Sequence, residues 1–205
     1  MKVPSGTSGT IFSARPVSDM FLLINFAVFQ LAWLSSVLGG AMQMPWLGPV
    51  AVLIALSIHF KAARRPFEEL LLVISCALIG AAFDSMLVAM GWVTYPAGLF
   101  SSVMAPYWII TMWMLFATTL NVSMRWMRGR ARLAAFFGFF GGPMAYITGQ
   151  QLGGIELVNP VASLAALAIG WAVMMPILMK LSEMFDGMPM TPTLRKSWLA
   201  ERQEW

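Results

Sequence analysis

One cysteine and one histidine among 205 residues leave no intrachain disulfide and no haem or zinc centre built on several histidine ligands. Cys76 sits inside an apolar run and reads as a small buried hydrophobe. Charge is equally scarce, at 11% of residues, too little for a water-soluble domain to clothe its surface. There is no Gly-rich phosphate loop, no Ser-His-Asp order and no Cys pair, so the sequence shows no nucleotide-cradling or triad-type motif. The 18 methionines recur without a ligand pattern and read as apolar filler. No metal site and no cofactor are named by these residues. The excess of 13 Lys+Arg over 9 Asp+Glu does not point to nucleic acid, because the cations are confined to short stretches between apolar runs.

What the chain has in abundance is hydrocarbon: 59% hydrophobic residues and a mean hydropathy of +0.75, which make lipid its solvent. Six apolar runs, 19–40, 45–60, 69–92, 103–123, 131–152 and 160–181, predict an all-α polytopic membrane bundle of six transmembrane helices. No run carries a polar face wide enough to meet water. Residues 1–18, rich in Ser, Gly, Thr and Pro, read as a cytoplasmic arm, residues 19–183 as the membrane domain and 184–205 as a cytoplasmic tail. In that tail Leu194, Trp198 and Leu199 form one face of a short helix suited to the inner leaflet.

Lys2 and Arg15, Lys61 to Arg65, Arg125 to Arg132, Lys180 and the tail cations all fall on one side of a six-span arrangement. Cytoplasmic loops retain Lys and Arg, so both termini are expected inside, in a bacterial inner membrane. Trp46, Trp92, Tyr95, Tyr107, Trp108 and Trp126 are placed as interfacial belts.

An ionisable side chain at membrane depth is costly and therefore a candidate by default. Asp84, roughly 22 Å along the third run from Glu69 at about 1.5 Å per residue, is the foremost, able to take up and release a proton in the outer half of the bilayer. Tyr146 and Gln150, one turn apart, share a face at similar depth, and Thr111 and Ser85 stand near. Toward the cytoplasm, His59, Glu68 and Glu69 gather with Asn121 and Asn25, and Gln30 lies deeper. A histidine with two carboxylates suits acid–base chemistry. His59, Glu68, Glu69 and Asp84 are therefore the catalytic candidates, and Asn25, Gln30, Asn121, Tyr146 and Gln150 the substrate-binding ones. A structural reading competes for the glutamates: Pro66 suits a first helical turn, and Glu68 and Glu69 complement the dipole there.

Asn25, Phe29-Gln30, Trp33, His59, Glu69, Gly80, Asp84-Ser85, Pro106, Trp108, Trp113, Thr119, Asn121, Ser123, Gly141-Gly142-Pro143 and Tyr146 together resemble a family of bacterial inner-membrane proteins known as domain of unknown function 2878, from about residue 25 to 181. The resemblance implies a six-helix membrane protein without an assigned reaction and leans toward lipid. Pro66-Phe67-Glu68-Glu69 is similar, over four residues only, to a segment of membrane carotenoid cyclases.

Three functions fit this sequence. The first is a lipid- or isoprenoid-modifying enzyme or accessory protein. The second is a small-solute or proton-coupled transporter centred on Asp84. The third is a structural partner of another membrane protein. Membrane lipids are the expected partners.

Overall fold

The computed structural model describes residues 19–189. The arm expected before residue 19 and the tail residues Leu194, Trp198 and Leu199, expected to share a helix face, lie outside the described residues. Six α-helices follow one another: α1 (Asp19–Ala41), α2 (Leu47–Ala62), α3 (Pro66–Ala89), α4 (Tyr107–Leu120), α5 (Ala131–Gln151) and α6 (Pro160–Met184). Each overlaps one of the six apolar runs, with ends that differ by a few residues. Three of them, 20–41, 66–89 and 160–184, are long and apolar enough to cross a membrane, and α2 and α4 are shorter apolar helices.

The boundaries have local causes. Pro66 opens α3 at its first turn, three residues earlier than the apolar run, because a proline lacks the N–H that this turn leaves unpaired. Pro160 opens α6 in the same way, and the Asn159 side chain accepts from the Ala162 N–H at 3.2 Å. The fourth helix is shorter than its apolar run. It starts after the extended Pro106, and at Asn121 the chain turns into a 3-10 segment (Arg125–Met127). Two short strands were not expected from the sequence: β1 (Val93–Thr94) and β2 (Glu156–Leu157) pair antiparallel and tie the α3–α4 loop to the α5–α6 loop.

The helices alternate in direction, which gives the bundle two chemically distinct ends. At one end, the strand pair is joined by Gln43 Nε2 donating to the Pro96 carbonyl and Ser163 Oγ donating to the Trp92 carbonyl. At the other, the α2–α3 and α4–α5 loops meet the segment after α6, and every Lys and Arg among the described residues lies at this end. Between the ends, the outward faces are apolar: Leu23, Leu31, Leu53, Leu78, Val161 and Ile169 are all exposed. A surface of this kind suits hydrocarbon, not water.

Tyr95 and Trp108 depart from the interfacial placement. They are 4% and 0% exposed and pack edge to face in the core, with the Trp108 Nε1 satisfied by the Ala97 carbonyl.

Close packing depends on missing side chains. A Cβ built at Gly80 would lie 2.0 Å from the Trp113 ring, so α4 sits on α3 at the one position where an indole fits. Gly142 of α5 receives the Trp171 ring of α6 in the same manner, at 2.3 Å, and Gly138 faces the Trp171 backbone carbonyl at 2.2 Å. Gly80→Ala is therefore an overpacking change, expected to lower stability by about 1–3 kcal/mol. A thermal unfolding midpoint in detergent that did not move would show that α3 and α4 have room to part.

Candidate functional site

Two buried polar clusters stand at opposite ends of the bundle, and the first borders a cavity. The first is built on Asp84, fully buried in the last turns of α3. Gly80, one turn earlier on the same face, lets Trp113 lie against α3, and this places the indole Nε1 at 2.6 Å from Asp84 Oδ2. Tyr146 of α5 donates its hydroxyl to Asp84 Oδ1, and Tyr95 donates to the same oxygen at 3.1 Å. Three neutral donors from three different segments thus converge on one carboxylate, with no cation beside it among the described residues. Burial, followed by the neighbouring Asp84, pushes the Tyr95 hydroxyl well above its ordinary pKa, so Tyr95 serves as a donor and not as a phenolate.

Asp84, Tyr146 and Trp113 border a cavity of about 640 Å³. α5 packs against α6, and α1 packs against α2 and α4, so the bundle leaves a gap between α1 and α5. The mouth of the cavity lies in that gap, between the exposed Phe26 and Gln30 of α1 and the exposed Phe137, Gly141 and Met144 of α5. Its floor is aromatic and thioether: Trp113, Phe116, Trp171 and Met175. Trp113 and Trp171 are stacked at 4.8 Å, which links the floor to Asp84. The long axis runs from Met127 and Phe137, near the basic end, to Asp84 and Thr148. Phe137 to Thr148 is eleven residues of α5, or about 16 Å. The shape and lining suit one hydrocarbon chain entering sideways. Gln30 lines the mouth, and its amide makes no hydrogen bond among the described residues.

The second cluster clasps the segment after α6 to the basic end. Glu69, 0% exposed, is bonded on both oxygens: Oε2 to His59 Nε2 at 2.8 Å, and Oε1 to Asn121 Nδ2 at 2.7 Å and to the Gly187 N–H at 2.8 Å. Gly187 has to be glycine, since a Cβ there would lie 2.2 Å from the Arg65 carbonyl and 2.8 Å from Glu69 Cγ. Asp186 receives Arg125 and Arg128, and its carbonyl receives Arg65. Arg128 also reaches Asn121 and the Ser182 carbonyl. Burial holds the Arg125 guanidinium below its ordinary pKa, while Asp186 opposes that shift. His59 Nδ1 is buried without a partner among the described residues. If the imidazole donates through Nε2 to Glu69, what is left unpaired is a lone pair and not an N–H.

The structure brings Asp84 and Tyr146 together, as it does His59, Glu69 and Asn121. It does not bring Gln150 or Glu68 to either group. The exposed Gln150 accepts from the Leu157 N–H at 3.2 Å, and Glu68 pairs with Arg65 at 3.2 Å one turn away. Asn25 joins α1 to α4, donating to the Thr118 carbonyl and accepting from Ser123 Oγ. Thr111 bonds the Trp108 carbonyl in its own helix, and Ser85 accepts from the Ala105 N–H. Sequence reasoning missed Tyr95 and Trp113 as partners of Asp84, and the cluster of the buried Arg125 with the half-buried Arg128 and Asp186. The spacing Gly80–Asp84 was a usable signal for Trp113, since a bare helix face one turn before a buried carboxylate accommodates a large donor.

A family described as "Protein of unknown function (DUF2878)" matches residues 22–177. No curated protein and no solved structure matches the chain.

Proposed function

We propose, from the premise that this chain belongs to the DUF2878 family of unknown function, that it is an inner-membrane protein of bacteria that draws one hydrocarbon chain of a lipid or isoprenoid into its side cavity and acts on it by proton transfer. The observation that carries the reading is the apolar cavity of about 640 Å³ with a mouth on the lipid-facing side and one carboxylate, Asp84, at its far end. In this reading all six helices span the bilayer, and the basic end, with both termini, faces the cytoplasm. At about 24 and 21 Å, α2 and α4 are shorter than a hydrocarbon core of about 30 Å and reach its edges through the turns at their ends.

Tyr146 is the group that meets the chain, and Asp84 behind it supplies or takes the proton through their hydrogen bond. On an unsaturated chain, a proton added to one carbon of a double bond leaves a cation on the other. Loss of a proton from the carbon beyond that cation, directly or after a second double bond has attacked it, is redox-neutral, so double-bond migration or cyclisation balances with these residues alone. Trp113 and Trp171, stacked in the floor, present a π face to any positive charge that develops on the chain. The clasp around Glu69 and His59 holds the cytoplasmic end closed and does not touch the chain.

The test is lipid mass spectrometry on a deletion strain complemented with wild type, Gly141→Trp or Tyr146→Phe. A Cβ at Gly141 meets nothing within 4 Å, so a side chain can begin there without pressing on a neighbouring helix, and the tryptophan is chosen to fill the mouth. A lipid species restored by wild type and by neither variant is expected, with about a hundredfold loss or more for Tyr146→Phe, the lower end of what a positioned acid or base contributes, about 10²–10⁴. Profiles that are identical with and without the gene would overturn the lipid reading. Restoration by Gly141→Trp would remove the cavity from it.

A further inference from the structure

The reading above leaves open which lipid enters, and α5 carries a feature that bears on it. Arg130 stands at the entrance of α5, two turns before Phe137. That interval continues the stripe on which Phe137, Gly141, Met144 and Thr148 line the cavity. The Arg130 side chain is exposed and makes no ion pair or hydrogen bond among the described residues, whereas Arg125 and Arg128 nearby are both committed to Asp186. Trp126 and Phe137, in edge contact at 5.4 Å, line the cavity at its end nearest the basic loops, and Trp126 is 45% exposed. A cation at the membrane surface, an amphipathic indole below it and an apolar channel below that follow the order of a phospholipid: phosphate, glycerol, acyl chain.

Arg132 makes a built-in comparison. It is equally exposed and equally unpaired among the described residues, yet two residues along a helix place it on the far side from the cavity stripe, on the face of Phe136. General attraction of anionic lipid to a basic surface acts on both arginines, and a headgroup seated above the cavity acts on one.

We infer that the ligand is an anionic phospholipid of the cytoplasmic leaflet, its phosphate held at Arg130 and one acyl chain lying along the cavity so that a carbon well down the chain, not the headgroup, reaches Tyr146 and Asp84. This rests on the cavity reading and adds to it the identity of the substrate class and the end of the lipid that is acted on.

The experiment uses the full-length protein in nanodiscs containing phosphatidylglycerol or phosphatidylcholine with a diazirine in one acyl chain, followed by mapping of the photolabelled residues. For wild type, cavity residues such as Met112, Trp113 and Tyr146 are expected to label about fivefold more from phosphatidylglycerol than from phosphatidylcholine, the ratio that one basic residue at a lipid surface provides. Arg130→Gln should bring the two probes level, and Arg132→Gln should leave the ratio unchanged. Equal labelling of the cavity by both probes, or equal effects of the two substitutions, overturns the headgroup assignment while leaving the cavity occupied. Absence of cavity labelling from either probe overturns the cavity reading, and this inference with it.

Discussion

Asp84→Ala should reduce the unfolding free energy in detergent by about 3 kcal/mol or more, one of the two largest losses expected from a single change among the described residues. Donors, not charges, set its size. Tyr95, Tyr146 and Trp113 all direct their polar hydrogens at one carboxylate. Removing it leaves three donors in a site from which water is excluded, at about 1–3 kcal/mol for each buried group left unpaired. Membrane proteins recover part of such losses because the unfolded chain in lipid also finds partners, which keeps the figure near the bottom of the sum. Asp84→Asn retains the volume and one acceptor oxygen, and is expected to cost about half as much. Titration with a denaturing detergent, followed by tryptophan fluorescence, measures both. A loss below about 1 kcal/mol for the alanine variant would mean that the three donors have other partners, and the convergence seen here would carry no structural weight.

Glu69→Ala is expected to be comparably severe, at about 3–5 kcal/mol, because it removes one member of a buried charged network and leaves the others in place. His59, Asn121 and the Gly187 N–H would all lose the same acceptor. Its neighbour supplies the control. Glu68 pairs with Arg65 at the surface, the two side chains being 28% and 62% exposed, so Glu68→Ala should change stability by less than about 1 kcal/mol. The two variants also differ in where they loosen the protein: limited proteolysis should cut the segment after α6 sooner in Glu69→Ala and at an unchanged rate in Glu68→Ala. Equal sensitivity in both would sink the idea of a clasp centred on Glu69.

The six helices were readable because apolar length is a one-dimensional property, and the chain spends most of its residues on it. Depth along a run gave useful groupings: Tyr146 was set beside Asp84 by residue counting, and His59, Glu69 and Asn121 together by their places at run ends, and the structure bonds Tyr146 to Asp84 and both His59 and Asn121 to Glu69. Azimuth was harder. Gln150 follows Tyr146 by one turn and was expected on the same face of use, yet the chain beyond α5 turns back so that the Leu157 N–H takes its side-chain oxygen. Tyr95 was assigned to the interface because aromatics near span ends ordinarily lie there, and Trp113, in mid-helix, was marked only by the bare surface at Gly80 that draws it inward. Asp186 escaped because an acid after a last helix looks like solvated tail. That it gathers Arg125 and Arg128 depends on two loops meeting across the bundle, and no local pattern records it.

The clasp also sets an order of events during synthesis. Glu69 and Gly187 are 118 residues apart, so a ribosome adding about 5–20 residues each second leaves that carboxylate waiting about 6–24 s for its last partner. His59, ten residues upstream, is already present, and Asn121 arrives partway. Arg125 and Arg128 wait in turn for Asp186, which follows them by 61 and 58 residues. The lower face of the bundle is therefore locked by the last helix to emerge. Until then the nascent protein holds several unmatched charges at the membrane surface, where insertion machinery or chaperones can still act on it.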